Sequence, residues 1–335
     1  MTPTIGAANQ GKVKRGRAIW LGALMFGLSL SLALALGEGV IRLKNASMRN
    51  YDIEMWRYSR ELKRVSDDPI LGHEHRTSAR AVLQSVEIRL NDRGLRGGPI
   101  PPPQSAQRRI LFLGSSITLG WGVTEEATMT ARLEAMLRAA GSNAVVMNAG
   151  IGNYNAVRYV ELFLQRLTDL EPTDVVIHYF VNDAEILPPP RTSFVLRNSQ
   201  LAATVWTAAQ RLIQSNDYGS LVEFYRALYR PESAGFKSMV EALRKLSNYA
   251  RAKGIRVFIA VTPDIHRLTG YDLTFVHEIM KREAEELGFR YVDLLPALRG
   301  LPPERIFAMP GDPHPNAAGH TLMAEAFLPV LLADR

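Results

Sequence analysis

From residue 109 onwards, short apolar segments alternate along the chain with longer segments of helical spacing. The apolar segments are residues 110–113, 144–147, 175–180, 257–261 and 291–292, and the helical segments are residues 129–140, 157–167, 236–253, 273–287 and 316–332. Short, continuously apolar strands separated by helices are typical of a parallel sheet that is covered on both faces. The sequence therefore predicts an α/β fold with a parallel five-stranded sheet. One long insertion, residues 184–235, follows the third strand.

Residues 18–36 form an uncharged apolar segment ahead of this pattern. As a helix this segment spans about 28 Å, close to the thickness of the hydrocarbon core of a bilayer. Four basic residues lie within 12–17, and the positive-inside rule then predicts that residues 1–17 form a cytoplasmic basic tail. We expect a retained transmembrane signal anchor, with the rest of the chain on the extracytoplasmic side. A cleaved signal peptide, with a site at Ala33-Leu34-Ala35, and a buried helix of a soluble protein are the alternatives.

The net charge of +7 is concentrated around the apolar segment. The first 50 residues hold seven basic residues and one acidic residue, so the rest of the chain is close to neutral. No strongly basic face is left for a nucleic acid, and we expect no nucleic-acid partner. The chain has no cysteine, which excludes disulfides, thiolate metal sites and cysteine nucleophiles.

Residues 37–107 form a connecting region before the α/β domain, which we place at residues 108–335. The region ends in a glycine- and proline-rich run at 97–103 that is typical of an extended linker or domain edge. Alternation over residues 86–90 predicts a half-exposed strand. Two histidines flank a glutamate at 73–75, but they lack the spacing that places two imidazoles on one helical face. We therefore expect residues 72–76 to form a polar loop, and we expect no metal.

Polar and glycine-rich loops follow the strands of the predicted sheet. They are residues 114–120, 148–155, 181–183 and 311–316, the last of which opens the closing helix. Binding sites of open parallel sheets form at the carboxyl ends of the strands. We therefore expect these four loops to meet at one edge of the sheet.

The four loops contain the residue types needed for acyl transfer through a serine ester. Ser116 lies in a tight turn and is the candidate nucleophile, and His314 is the candidate base that takes its proton. Asp312, two residues earlier, is the candidate partner that orients the imidazole. The candidate donors for an oxyanion hole are the backbone N–H groups of Ser116, Gly152 and Asn153 and the side-chain amide of Asn182.

In their order along the chain, these loops resemble the four conserved sequence blocks of the SGNH (GDSL) hydrolase superfamily, over about residues 108–332. The resemblance implies a three-layer, flavodoxin-like α/β/α sandwich with esterase activity and without a metal or organic cofactor. It assigns the nucleophile to Ser116, the base to His314, the partner of the base to Asp312, and the oxyanion hole to Asn182 with Gly152 or Asn153.

The sequence departs from the family pattern in each block. Ser115 stands where the family usually has aspartate, Asn153 where many members carry the oxyanion glycine, and Phe180 where glycine is common. Asparagine tolerates unusual backbone angles, so a donor N–H at residue 153 survives the change. The fourth block is Asp-x-His and not Asp-x-x-His. That spacing resembles the polysaccharide-acetylating branch that includes the alginate O-acetylation proteins.

The expected function is hydrolysis of O-acyl esters, chiefly acetyl esters, of a cell-envelope glycan or lipid through an acyl-serine intermediate. The expected partners are this acylated carbohydrate or lipid and the membrane that holds the N-terminal helix. One alternative is a polysaccharide O-acetyltransferase that uses the same Ser116, His314 and Asp312. A second alternative is a non-catalytic scaffold that binds glycan. Because the insertion at 184–235 directly follows Asn182, we expect it to lie over or near the mouth of the site.

Overall fold

The computed structural model describes residues 6–188, 193–213, 218–309 and 312–333, with side chains at 17–188, 193–210, 219–309 and 314–333. The strands are β1 (Lys63–Val65), β2 (His73–His75), β3 (Arg80–Leu83), β4 (Val86–Arg89), β5 (Arg108–Gly114), β6 (Ala144–Gly150), β7 (Asp174–Phe180), β8 (Arg256–Thr262), β9 (Arg290–Asp293), β10 (Phe307–Met309) and β11 (Asp312–Pro315). The helices are α1 (Gly6–Asn45), α2 (Tyr51–Glu61), α3 (Ser116–Leu119), α4 (Met129–Ala139), α5 (Ala156–Leu162), α6 (Phe194–Asn198), α7 (Gln200–Ile213), α8 (Tyr218–Leu228), α9 (Ala234–Lys253), α10 (Thr274–Leu287), α11 (Leu295–Leu298), α12 (Pro303–Ile306) and α13 (Ala317–Ala333).

Strands β5 to β9 form the central sheet in the order β6-β5-β7-β8-β9, and every adjacent pair is parallel. Numbered along the chain within the sheet, this order is 2-1-3-4-5, which is the flavodoxin-like order. The predicted α/β fold with a parallel five-stranded sheet is therefore confirmed. The direction of chain progression reverses at β5, so the carboxyl end of β5 is the switch point at which ligands of such sheets bind.

Helices cover both faces of the sheet. Helices α4 and α13 pack together on one face, and α9 contacts both α5 and α10 on the other. Phe327 of α13 lies edge-on to Phe112 of β5 and Phe258 of β8, with ring centroids 5.9 Å apart in both pairs. All three rings are fully buried, and each contributes about 1.5–3 kcal/mol of hydrophobic stabilisation. The closing helix is thereby fixed against the strand that leads into Ser116.

Residues 46–98, called the N-terminal segment below, pack onto the α/β domain. The segment contains α2 and two antiparallel hairpins, β1–β2 and β3–β4. Its apolar core includes Tyr58, Leu62 and Ile88, and it continues into Leu119, the last residue of α3, and Trp121. The strand predicted at 86–90 is present as β4. The segment therefore shares a core with the site region.

The expectation that residues 72–76 form a polar loop is wrong. Residues 73–75 are strand β2, and Glu74 and His75 are buried. The carboxylate of Glu74 pairs with Arg64 at 2.9 Å and with Arg166 at 3.2 Å, and both ring nitrogens of His75 are hydrogen-bonded. Polar groups are tolerated inside proteins when they are paired in this way. Local polarity could not reveal this burial, because the partners are distant in sequence.

The apolar segment lies within α1. Among the described residues, one helix, Arg17–Asn45, is long and apolar enough to cross a membrane, with a mean hydropathy of 2.1 over a window that is entirely exposed. This exposure does not fit the core helix of a soluble protein, but it fits either an anchor or a signal sequence. Beyond the apolar stretch, Glu38 accepts hydrogen bonds from the Ser199 hydroxyl and from the backbone N–H groups of Gln200 and Leu201. These contacts join α1 to the start of α7.

Candidate active site

Ser116 lies at the carboxyl end of β5, where the chain turns directly into α3. Gly114 ends the strand, and a Cβ there would lie 2.0 Å from the Thr118 hydroxyl oxygen. Gly150 ends the neighbouring β6, and a Cβ there would lie 2.2 Å from the backbone nitrogen of Leu119. Glycine at 150 therefore allows the two loops to approach closely, and glycine at 114 leaves room for the Thr118 side chain and the His178 carbonyl. This approach places a partly exposed Ser116 at the switch point of the sheet.

His314 contacts the Ser116 hydroxyl directly. Its Nε2 lies 2.7 Å from Ser116 Oγ, which is the geometry in which a hydroxyl gives up its proton to a general base. His314 lies on β11 and is buried, with the Tyr51 ring 5.9 Å from its own. Asn316 caps the helix that follows, since its Oδ1 accepts the backbone N–H groups at the start of α13. The side chain of Asp312 lies outside the described residues.

Ser116, His314, Asn153 and Asn182 line one cavity of roughly 230 Å³. Within the described part of the chain, three donors of these residues have no acceptor: the backbone N–H groups of Ser116 and Asn153 and the side-chain amide of Asn182. Asn153 has a φ of 63°, in the left-handed region that asparagine adopts more readily than most residues. The structure thus brings four of the expected site residues and three neutral donors together.

Residues 112–322 match the model of the GDSL-like lipase/acylhydrolase family. This match covers well over half of the chain. The chain belongs to this family. It is therefore an esterase of the SGNH/GDSL type, an enzyme that hydrolyses acyl esters. No curated protein matches the chain significantly.

The chain is also similar to several solved structures. LAE5, an α/β hydrolase enzyme from the metagenome of Lake Arreo, Spain, is 17% identical, with a TM-score of 0.46 over 67% of this chain and 95% of that one. A catalytic mutant of Axe2, an acetylxylan esterase from Geobacillus stearothermophilus, is 18% identical, with a TM-score of 0.46 over 67% and 94% of the two chains. The psychrotrophic esterase EstA from Pseudoalteromonas sp. is 16% identical, with a TM-score of 0.43 over 68% and 98%.

In this GDSL-type esterase, the N-terminal segment holds the loop that follows β6, residues 151–155, which we call the β6 loop. The Gly152 N–H donates to the Tyr58 hydroxyl at 2.9 Å, and that hydroxyl lies 2.6 Å from His75 Nε2. Burial raises the pKa of Tyr58 and lowers that of His75 to about 3, so both are neutral and Tyr58 donates to His75. A Cβ at Gly152 would lie 2.6 Å from the Tyr58 ring. Tyr58 therefore occupies the Gly152 N–H, whereas no described residue occupies the Asn153 N–H.

Two further side chains bind the carbonyl oxygen of the peptide group that joins Gly152 to Asn153. Lys63 Nζ donates to the Gly152 carbonyl at 2.6 Å, and His73 Nε2 donates to it at 3.1 Å. The Gly152 carbonyl and the Asn153 N–H belong to one amide, so donors on its oxygen polarise the amide and strengthen its N–H as a donor. Burial, and then the charge of Arg158, lower the pKa of Lys63 to about 7. Lys63 therefore changes its charge near neutral pH.

Arg96, at the end of the N-terminal segment, holds α3, the helix that begins at Ser116. Its guanidinium donates to the carbonyls of Leu119 and Gly120 at 2.5 Å and to that of Val123 at 2.6 Å. Burial lowers the pKa of Arg96 to about 10, which leaves it charged at neutral pH. The carbonyls at the C-terminal end of α3 are thus bound by a buried cation, and this contact fixes the helix that begins at Ser116.

The insertion begins at the edge of the catalytic cavity. Glu185 and Leu187 line the cavity beside Phe180, and burial raises the pKa of Glu185. Farther along the insertion, the Tyr229 hydroxyl donates to the Val181 carbonyl at 2.8 Å. The start of the insertion therefore borders the site, and its end is attached to the chain just after β7.

Sequence reasoning missed the part of the site that the N-terminal segment provides. Tyr51, Tyr58, Lys63 and Arg96 belong to none of the four loops that follow the strands. The available signal was a concentration of aromatic, basic and histidine residues at 51–64 and 73–76. That signal does not identify the loop that these residues contact.

Proposed function

We propose that this esterase removes acyl groups, chiefly acetyl groups, from a cell-envelope glycan or lipid through an acyl-serine intermediate. The observation that carries the proposal is the 2.7 Å contact between Ser116 Oγ and His314 Nε2 at the switch point of the sheet. A serine that contacts a histidine base in a cavity with unoccupied N–H donors is the arrangement that acyl transfer requires.

In the proposed mechanism, Ser116 Oγ attacks the ester carbonyl while His314 Nε2 takes its proton. The Asn153 N–H, the Asn182 amide and the Ser116 N–H donate to the oxyanion that develops. His314 then gives its proton to the leaving sugar oxygen, and the same histidine activates a water that hydrolyses the acyl-serine. We assign Asp312 as the acceptor of the His314 Nδ1–H. Of the two candidates in the β6 loop, we assign the donor role to Asn153, because the Gly152 N–H is bound by Tyr58.

The size of the cavity supports a small acyl group. Its volume of roughly 230 Å³ lies below the range of about 300–1,000 Å³ that is usual for sites of drug-sized ligands. Tyr51, Phe180 and Leu187 form apolar parts of its wall. An acetyl group buries its single methyl in such a space, whereas a long acyl chain needs more volume.

We also propose that α1 is a retained anchor and that the catalytic domain lies on the periplasmic side of the cytoplasmic membrane. The exposed apolar helix and the basic residues before it support this topology. An alkaline phosphatase fusion after residue 60 is expected to be active, and a green fluorescent protein fusion at the same place is expected to be dark. A bright fluorescent fusion would contradict the topology.

The test of the proposed function is labelling with a fluorophosphonate probe, followed by an acetate-release assay. We expect the wild-type protein to be labelled, Ser116→Ala to remain unlabelled, and acetate to be released from acetylated oligosaccharides. Adding a deacetylated acceptor separates hydrolysis from transfer, because a transferase moves the acetyl group to the acceptor. A folded wild-type protein that is neither labelled nor active would favour the glycan-binding scaffold.

A further inference from the structure

A second cavity of roughly 340 Å³ lies beside the catalytic cavity, and Asn153 lines both. It is an open cleft between the N-terminal segment, the β6 loop and the start of the insertion, and we call it the basic cleft. Its lining residues are Trp56, Ser59, Arg60, Lys63, Arg64, Val65, His73, Asn153, Arg158, Pro188, Ser193, Leu196 and Arg197.

The basic cleft has a large excess of positive charge. Five of its lining residues are lysine or arginine, and none of them is aspartate or glutamate. Arg64 pairs with Glu74, which lies outside the lining. Four cations of the cleft have no carboxylate partner in the part of the chain that the structure describes: Arg60, Lys63, Arg158 and Arg197.

Two of these four cations are buried, which makes their lack of a counter-ion costly. Lys63 is 7% exposed and Arg158 is 5% exposed. In the part of the chain that the structure describes, the Arg158 guanidinium donates only to main-chain oxygens, those of Asn153 at 3.3 Å and Pro188 at 3.1 Å, and the Lys63 ammonium likewise donates to a carbonyl. Neutral acceptors compensate a buried charge only in part, and an anion compensates it more fully. Burial lowers the pKa of both groups, and the charge of Arg158 lowers that of Lys63 further.

The other two cations are exposed arginines on different walls of the cleft. Arg60 lies on α2, with its guanidinium carbon 5.4 Å from the centroid of the Trp56 ring. Trp56 is itself fixed, because its indole N–H donates to the Leu196 carbonyl at 2.6 Å. Arg197 belongs to the insertion. A planar guanidinium binds a carboxylate through two parallel hydrogen bonds, so both arginines are suited to an anion that enters from solvent.

We propose that the basic cleft binds a carboxylate of an acidic sugar in the acylated substrate, next to the position of the scissile ester. This proposal rests on the proposed esterase function and narrows its substrate to an anionic glycan. Because Asn153 lines both cavities, a carboxylate bound in the basic cleft would lie next to the ester bound in the catalytic cavity. Nine of the thirteen lining residues carry polar or charged groups, which can hydrogen-bond to the hydroxyl groups of a saccharide.

The first test measures binding without turnover. Calorimetric titration of the full-length Ser116→Ala protein in detergent compares a galacturonate trisaccharide with a neutral xylose trisaccharide. We expect the uronate to bind at least about tenfold more tightly, since it gains charge-assisted hydrogen bonds. Arg60→Gln and Arg197→Gln, each in the Ser116→Ala protein, are expected to weaken uronate binding about tenfold and to leave xylose binding nearly unchanged. Arg132→Gln, an exposed arginine on α4 away from the cleft, is the matched control and is expected to change neither.

The second test measures turnover. The ratio of kcat/KM for acetylated uronate oligosaccharides to kcat/KM for acetylated neutral oligosaccharides is expected to fall in the Arg60→Gln/Arg197→Gln double variant and to stay constant in Arg132→Gln. Because the readout is a ratio within one protein, partial loss of folded enzyme does not affect it. Arg60→Lys is expected to retain part of the preference, because it keeps the charge and loses the planar fork.

The two tests separate failure of this proposal from failure of the proposed function. Ester hydrolysis without any uronate preference overturns the carboxylate site and leaves the esterase intact. Uronate binding without hydrolysis of any ester supports the site and overturns the function. Titrations with inorganic phosphate and with vesicles of phosphatidylglycerol test the other sources of an anion. Tighter binding of either than of the uronate overturns the assignment to an acidic sugar.

Discussion

The α/β domain and the N-terminal segment contribute to the candidate site in different ways. The domain provides the groups that line the candidate catalytic cavity: Ser116 at the start of α3, Asn153 and Asn182 in the loops after β6 and β7, and His314 on β11. The N-terminal segment binds these loops mainly from the side away from the cavity, through Tyr58 and other buried side chains. The candidate catalytic groups therefore lie within the family match, residues 112–322, whereas the segment that holds their loops in place lies outside it.

The β6 loop shows why such support is needed. Asn153 takes a left-handed backbone conformation that costs free energy for any residue except glycine. Tyr58 binds the N–H of the preceding residue and Lys63 binds its carbonyl, so both polar groups of Gly152 are fixed. An unfavourable local conformation persists when the surrounding structure determines it in this way.

The largest expected effect lies in the α/β domain. Ser116→Ala and His314→Ala should each lower kcat by roughly 10⁴–10⁶-fold, and the double variant should have about the same residual kcat as either single variant. The reason is that nucleophile and base act as one unit. Steady-state hydrolysis of an activated acetyl ester measures this, with folding checked by circular dichroism. A folded Ser116→Ala protein with the wild-type kcat would show that Ser116 is not the nucleophile.

The next effect concerns the oxyanion donors. Asn182→Ala should lower kcat by roughly 10²–10³-fold with little change in KM, because its amide meets the charge that develops in the transition state. The same kinetic series measures both constants. A rise in KM at constant kcat would instead show that Asn182 binds the ground-state substrate.

A smaller effect is expected from the supporting segment. Tyr58→Phe leaves the Gly152 N–H and His75 Nε2 without their partner, and it should lower stability by about 1–3 kcal/mol and kcat by about tenfold. Tyr249→Phe is the matched control, since this tyrosine lies on α9 and packs against Phe163. Denaturant unfolding and kcat are measured for both. Equal losses of stability and kcat in the two variants would show that Tyr58 contributes only general packing and does not support the site.

The smallest effect is a change in pH dependence. As the pH rises through about 7, Lys63 loses its proton and polarises the Gly152–Asn153 amide less strongly. The ratio of wild-type kcat to that of Lys63→Met should therefore be several-fold near pH 6 and should decline towards pH 8. A ratio that does not change with pH would show that the charge of Lys63 does not affect kcat and that the side chain contributes only packing.

The same lysine predicts a pH dependence of stability with a defined sign. Its pKa is lowered from 10.5 to about 7 in the folded protein, so the unfolded state binds more protons between these two values. Wild-type stability should therefore rise with pH across this window relative to Lys63→Met. Urea unfolding of both proteins at pH 7 and pH 9 measures the difference.

The sequence predicted the α/β domain well because its signals are local. Each central strand is a short apolar run, and the loops that carry Ser116, Asn153 and Asn182 directly follow β5, β6 and β7, so topology alone brings these three residues to one edge of the sheet. The N-terminal segment lacks such signals. Tyr58 and Gly152 are separated by 94 residues, and nothing in the local pattern indicates that an aromatic hydroxyl will bind that N–H. The burial of Glu74 and His75 was missed for the same reason.

The contacts between Glu38 and the start of α7 have a consequence for where the enzyme works. With α1 in the bilayer as proposed, the helix continues for nine residues beyond the apolar stretch, a length of about 13 Å. Within these nine residues, Glu38 binds the insertion that borders the cavity. The catalytic domain is then connected to the membrane by a continuous helix and not by a flexible linker. The length of this helix sets the distance of the active site from the membrane surface, so only glycan close to that surface can enter the site.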